Sequence, residues 1–260
     1  MFIHLRLHTE FSVVDGTNRI DEIVKAAAQD AQPALAITDL SNLFGAVKFY
    51  KAARGKGVKP LIGAEVWLEG LVPDTSSRVL LLVQNQTGYL HLSELLARAW
   101  TKNAGKAQAA VHWSWLQELN AGLLLLSGAQ AGPLGAPLLQ GDPSKAAEVA
   151  LTLAQTFPQR VYLELQRAGR ADDEAYVVAA VKLAAQIKLP VVATHPVQFL
   201  GPDDYEAHEA RVCISDGEIL GNARRVRRFT HEQYFKSTAQ LRELFTDVPS
   251  ALVTKLDIAK

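Results

Sequence analysis

The 260-residue sequence has almost no cysteine: Cys213 stands alone, so no internal disulfide can form and the chain fits a reducing, cytosolic compartment. It also has no net charge, with 27 basic against 27 acidic side chains, which argues against a dedicated nucleic-acid binder with a basic excess. No apolar run approaches the roughly 20 residues of a membrane span. The N-terminus reaches Arg6 and His8 with neither a long apolar core nor a small-residue cleavage site, so no signal peptide is visible. A soluble, cytoplasmic protein is expected. The motifs GxxxxGKS/T, GxGxxG after a strand and GxSxG are missing too, which removes nucleotide cradling and α/β-hydrolase chemistry.

What is present is enough apolar residue, 48%, to bury a full core. Residues 2–10 (FIHLRLHTE) alternate like a strand, which places Phe2, His4, Arg6 and His8 on one face and Ile3, Leu5 and Leu7 on the other. Further strands are expected at 34–38, 60–66, 79–83, 122–126, 161–165 and 190–194, with helices near 20–27, 43–53, 88–100, 143–157 and 172–187 between them. A polar, Gly- and Ala-rich loop and a short helix with Trp113 and Trp115 separate the fourth strand from the fifth. At the far end Asp247 is the expected cap and Pro249 the first turn of a helix with no stop signal before Lys260, as in a piece cut from a longer chain. Strands alternating with helices, written as continuous Val/Leu/Ile/Ala runs, predict a parallel sheet covered on both faces. No internal repeat competes with a single-domain barrel over residues 1–260.

In such folds the chemistry collects at the carboxyl ends of the strands. Those ends are His8, Asp39, Glu65, Gln84, Ser127, Gln166 and His195. Of these, His8, Asp39, Glu65 and His195 have the donors of a metal pocket; alternatively they bond nearby loops, as buried polar groups must. The run Arg224, Arg225, Arg227 and Arg228 suits a phosphate or an acidic partner, or is a solvated loop. Trp113 and Trp115 read as core packing. Cys213, on an expected helix over 205–214 with His208, reads as a buried structural thiol rather than a nucleophile.

Six blocks, in order, carry a resemblance: FIHLRLHTEFSVVDG from Phe2, ALAITDLSNLFGAVKFY from Ala34, KPLIGAE from Lys59, residues 123–128, YLELQRAG from Tyr162 and LPVVATHPVQF from Leu189. The chain resembles the N-terminal PHP (polymerase and histidinol phosphatase) domains of bacterial replicative DNA polymerase III α subunits. The resemblance implies an α/β fold, a distorted seven-stranded β/α (TIM-like) barrel. It also implies a site where divalent metals at the strand ends hydrolyse phosphoesters, in some polymerases as a 3′–5′ exonuclease.

Against the family pattern the ligand set is broken. Arg6 stands in place of the first histidine of His-x-His, with His8 retained, and Leu40 replaces the histidine after Asp39. Ala129 and Ala168 replace a cysteine and a histidine, and Pro196-Val197-Gln198 replaces the closing Asp-x-His beside His195. His8, Asp15 and Glu65 remain, and Arg6 is expected to neutralise Glu65 or Asp15. The resemblance therefore implies a non-catalytic domain that supports the polymerase and binds a separate proofreading exonuclease subunit. It has no cofactor of its own, Mg serves the full polymerase, and its partners are that subunit, the remaining polymerase domains and DNA through the whole enzyme. The alternative is residual metal-dependent phosphoesterase, pyrophosphatase or exonuclease activity using His8, Glu65 and His195.

Overall fold

A computed structural model describes residues 2–103 and 108–259; Met1, residues 104–107, within the expected Gly- and Ala-rich loop, and Lys260 lie outside the described residues. In chain order the elements are α1 (Ile20–Gln29), β1 (Ala34–Ile37), α2 (Ala46–Gly55), β2 (Lys59–Glu69), β3 (Ser76–Val83) and α3 (Gln86–Lys102). They continue as β4 (Ala110–His112), α4 (Trp113–Glu118), β5 (Leu123–Leu126), α5 (Gly135–Leu139), α6 (Pro143–Thr156), β6 (Val161–Gln166) and α7 (Asp173–Ile187). The last are β7 (Val191–Thr194), α8 (Tyr205–Asp216), α9 (Thr238–Leu244) and α10 (Pro249–Ile258). Side chains set several helix starts: Asn85 accepts from the Gly88 amide, Asp142 from Lys145, and Ser237 and Gln240 form a capping box. Asp247 does not cap α10; Val248 takes that place, and Asp247 is drawn to Arg167 at 2.6 Å.

The strands form one sheet in the order β1-β2-β3-β5-β6-β7, with β4 paired to the far end of β2. It curls into a distorted seven-stranded β/α barrel. The expected number of strands is right, but its membership differs. Residues 2–9 make no regular ladder, and β4 is the strand that sequence periodicity missed. The opening segment instead spans the gap between the two edge strands. The amides of Ala36 and Thr38 donate to the carbonyls of His4 and Leu7, at 2.9 and 3.0 Å, and the amide of His8 donates to Val197 at 3.0 Å. The two-residue period also fails along it: Ile3 and Leu5 enter the barrel interior, whereas Leu7 packs with Ile20, Val24 and Leu35 under the helices.

The sheet is mixed rather than all parallel. β2 and β3 form a hairpin, and β3 runs antiparallel to β5 as well. Because β3 points the other way, Gln84 at its end lies at the opposite mouth, in a cleft with Lys59 and Asp257, and not with the other strand ends. Apolar layers fill the spaces between sheet and helices, Trp113 among them. Cys213 is buried on α8, and no helix among the described residues is long and apolar enough to cross a membrane.

Candidate functional site

Strand alternation sends every second side chain into the barrel. At one end these are Ile3, Leu5, Ala34, Ala36, Leu80, Leu82, Leu124, Leu126 and Val192, an apolar plug. Toward the carboxyl mouth the same rows turn polar. Glu65 sits directly across from Leu80, Arg78 is two residues before it, Glu164 and Gln166 follow Tyr162, and Thr194 follows Val192.

Arg6 is the centre of that polar layer. Its Nε and Nη2 donate to the two carboxylate oxygens of Glu164 at 2.8 and 3.1 Å, and its Nη1 donates to Glu65 Oε1 at 2.5 Å. The Gly128 amide (3.0 Å), Gln166 Nε2 (2.9 Å) and the Thr194 hydroxyl also donate to Glu164, which is 0% exposed. Gly128 has no substitute here: its φ is +81°, and a Cβ would lie 1.8 Å from the Arg78 carbonyl oxygen. Burial penalises all three charges. For Arg6, Glu164 and Glu65 outweigh that penalty and hold the guanidinium above its ordinary range. For Glu65, burial is overcome by Arg6 and then Arg78, and its carboxyl lies well below the usual range; Glu164 is lowered in the same way by Arg6.

A second pair stands beside the first. Arg78 Nη1 is 2.7 Å from Asp15 Oδ2 and 3.7 Å from Glu65 Oε2, and its guanidinium stacks 4.3 Å over Trp67. His8 Nε2 lies 2.7 Å from Glu65 Oε2. Of the two carboxylates expected for Arg6, it takes Glu65, while Asp15 belongs to Arg78. Asp39 turns away to hold a loop: its Oδ1 accepts from the Thr9 amide and the Ser12 hydroxyl, both at 2.6 Å.

The other positions of the broken set surround this layer without adding donors. Leu40 bridges Glu65 through the backbone, Ala129 lies in a short 3-10 turn, and the Ala168 amide donates to Asp173 at 2.6 Å. Pro196 and Gln198 line a cavity of about 370 Å³ with Arg6, Glu65 and Arg78. His195 does not line it. Its Nε2 lies 3.1 Å from the Tyr234 carbonyl oxygen, and burial, with His4 and Lys236 adding to it, depresses its pKa to about 3. His208 likewise faces a backbone oxygen, that of Asp15 at 3.3 Å.

A divalent metal does not fit these residues. Both oxygens of Glu164 and Oε1 of Glu65 are taken by a permanent cation, and the alanines, Leu40 and Pro196 offer nothing. Among the described residues no three His, Cys, Asp or Glu side chains converge as a metal set.

The arginine run divides. Arg225 reaches buried Glu209 at 2.5 Å and Arg228 reaches Asp216 at 2.9 Å, while Arg224 and Arg227 are exposed. Sequence reading missed Glu164 and Arg78. A lone carboxylate inside the apolar run Tyr162-Leu163-Glu164-Leu165 was the signal for the first. Ending the expected strands at 66 and 79 hid the second, because β2 runs on to Glu69 and β3 begins at Ser76.

Comparison with known proteins gives the family and the fold. The family model described as PHP domain matches residues 4–168. The chain is 44% identical over 260 residues, all of its length, to the DNA polymerase III subunit alpha of Pseudomonas aeruginosa, and 43% to that of Escherichia coli K12. It spans 22% of the length of either relative. Among solved structures, a Bifidobacterium adolescentis protein described as a metal-dependent phosphoesterase aligns over 94% of this chain and 95% of its own, with TM-score 0.53 and 12% identity. An amidohydrolase from Chromobacterium violaceum aligns over 81% of this chain and 97% of its own, with TM-score 0.52 and 15% identity. These two likenesses concern the fold.

Proposed function

The chain belongs to the PHP domain family, and on that premise we propose that it is a non-catalytic PHP domain of a replicative DNA polymerase III α subunit. In this reading residues 1–260 are the N-terminal domain of a longer polymerase chain, supporting the polymerase fold and binding a separate 3′–5′ proofreading exonuclease subunit. Its other partners are the remaining polymerase domains, and DNA through the whole enzyme. It needs no cofactor of its own, and Mg serves polymerisation elsewhere in the full chain.

The observation that carries the reading is Arg6, seated between Glu65 and Glu164 where the family pattern has a histidine ligand. Metal-assisted phosphoester hydrolysis needs ions that activate water and clamp phosphate oxygens. A guanidinium can clamp an oxyanion, but it generates no hydroxide at neutral pH. What remains is a rigid ionic layer that fixes the mouth of the barrel, a suitable base for an interaction domain.

Size-exclusion chromatography of the purified chain with the exonuclease subunit of the same organism tests this. Co-elution, with no hydrolysis of p-nitrophenyl phosphate or single-stranded DNA by the chain alone, is expected. Failure to co-elute removes the partner reading. Hydrolysis that is lost in Glu65→Ala replaces it with residual phosphoesterase activity.

A further inference from the structure

Four guanidinium groups line the cavity at the mouth, and three are engaged by carboxylates: Arg6 by Glu65 and Glu164, Arg78 by Asp15, Arg228 by Asp216. Arg170 is the exception. Its Nη1 donates to Gln166 Oε1 at 3.1 Å, and no carboxylate forms an ion pair with it among the described residues. Of the two acids that follow it, Asp173 is spent on the amides of Ala168 and Arg170 and on Gln130 Nε2, and Asp172 acts on the guanidinium only at a distance. Burial pulls the Arg170 pKa down and nearby Arg6 adds to it, outweighing the more distant carboxylates of Asp173, Asp172 and Glu65.

Three glutamines on the same wall have amide atoms with no hydrogen-bond partner among the described residues: Gln130 Oε1, Gln198 Oε1 and Gln233 Nε2. Gln198 and Gln233 are 4% and 0% exposed, and both line the cavity. A buried polar atom without a partner is costly, so each of these positions favours a ligand that supplies one. The wall therefore lacks one negative charge, one acceptor and two donors.

We infer that this cavity receives a carboxylate-bearing peptide segment of a partner protein, with the carboxylate on Arg170 and Gln233 Nε2 and peptide N–H groups on Gln130 Oε1 and Gln198 Oε1. The inference rests on the interaction reading above and names the chemistry of the segment that would dock. One unpaired guanidinium matches one negative charge, and guanidinium and carboxylate pair in a bidentate fork. A cation is repelled by Arg170, and an apolar group leaves all four groups unmet. The cavity, about 370 Å³, admits a side chain with its flanking backbone rather than a whole fold. Arg170, Gln130 and Gln233 are not among the family's ligand positions, so this is a different use of the mouth.

The probe is N-acetyl-glutamate methylamide, titrated into the isotope-labelled chain while the side-chain amide resonances of Gln130, Gln198 and Gln233 are followed by NMR. Saturable shifts at these amides are expected, weakened roughly tenfold or more in Arg170→Gln, which removes a charged hydrogen-bond donor. The uncharged N-acetyl-glutamine methylamide should bind correspondingly worse, and Arg224→Gln should leave binding unchanged. If Arg170→Gln fails to fold, Gln233→Leu takes its place and should weaken the probe several-fold. Absence of saturable shifts, equal binding by wild type and Arg170→Gln, or shifts produced by inorganic phosphate and not by the glutamate probe overturns the inference. Co-elution with the exonuclease subunit is a separate readout: a chain that binds the probe but not the subunit refutes the proposed function and leaves this inference standing.

Discussion

The two halves of the barrel interior are built from the same strands by opposite chemistry. One half is closed by Leu80, Leu82, Leu124 and Leu126 with Ile3 and Leu5. The other is closed by Arg6, Arg78, Glu65, Glu164 and Asp15. Apolar packing tolerates small adjustments and needs no partner of a particular sign. A buried ionic layer works only when every member is paired, because a lone charge in a dry interior is expensive. The apolar half supplies stability, and the ionic half supplies a single fixed arrangement at the mouth.

The contrast is easiest to break at Glu164. Glu164→Ala removes two of the three charged hydrogen bonds of the buried Arg6 guanidinium, leaving only that to Glu65, and should cost about 3–5 kcal/mol in chemical denaturation. In the apolar half, Leu126→Ala should cost about 2–4 kcal/mol through lost burial and a cavity. The pair is sharpened by a triple variant, Arg6→Met with Glu65→Gln and Glu164→Gln. Removing these three charges together, with the Arg78–Asp15 pair left in place, should leave stability within about 2 kcal/mol of the parent, less than the loss from Glu164→Ala alone. If the triple variant is far worse than the single one, the layer is not a balanced ionic unit.

Acid separates the halves further. Glu65 and Glu164 have folded pKa values below their unfolded ones, so their contribution is complete above the ordinary value of about 4.3 and is lost as pH falls through the lower folded values. Buried His4 and His195 act earlier. Their folded pKa values, about 4 and about 3, lie below the ordinary histidine value. The unfolded chain therefore takes up protons first, and stability declines from about pH 6.5 downward, by up to about 1.4 kcal/mol per pH unit for each ring. Denaturation curves from pH 7.5 to 4.5 should flatten in His195→Asn, while Leu126→Ala should run parallel to the parent. The smallest effect is expected on the surface, where Arg224→Gln should leave the melting temperature and any DNA affinity unchanged.

Much of this was legible in the residues, and the gaps have physical causes. Long apolar strands and amphipathic helices were readable because burial dictates their period, as in β5, β6 and α7. The opening segment deceived because it is pinned by hydrogen bonds on both edges without a regular pleat, so alternation stops at Leu7. Strand direction carries no local signature, and Gln84 was therefore placed at the wrong mouth. At the site, Arg6 beside Glu65 or Asp15 was readable from a single histidine-to-arginine departure, and the choice of Glu65 was not. Glu164 and Arg78 were not, because their roles arise from side chains far apart in sequence.

In the proposed reading a guanidinium, Arg6, holds the carboxylates of this mouth in place of an ion. Metal content after incubating the purified chain with excess Zn or Mn, followed by extensive dialysis, tests it most directly. Far less than one ion per chain is expected in the wild type; one or more ions per chain, retained through dialysis and lost in Glu65→Ala, overturns the assignment of Arg6.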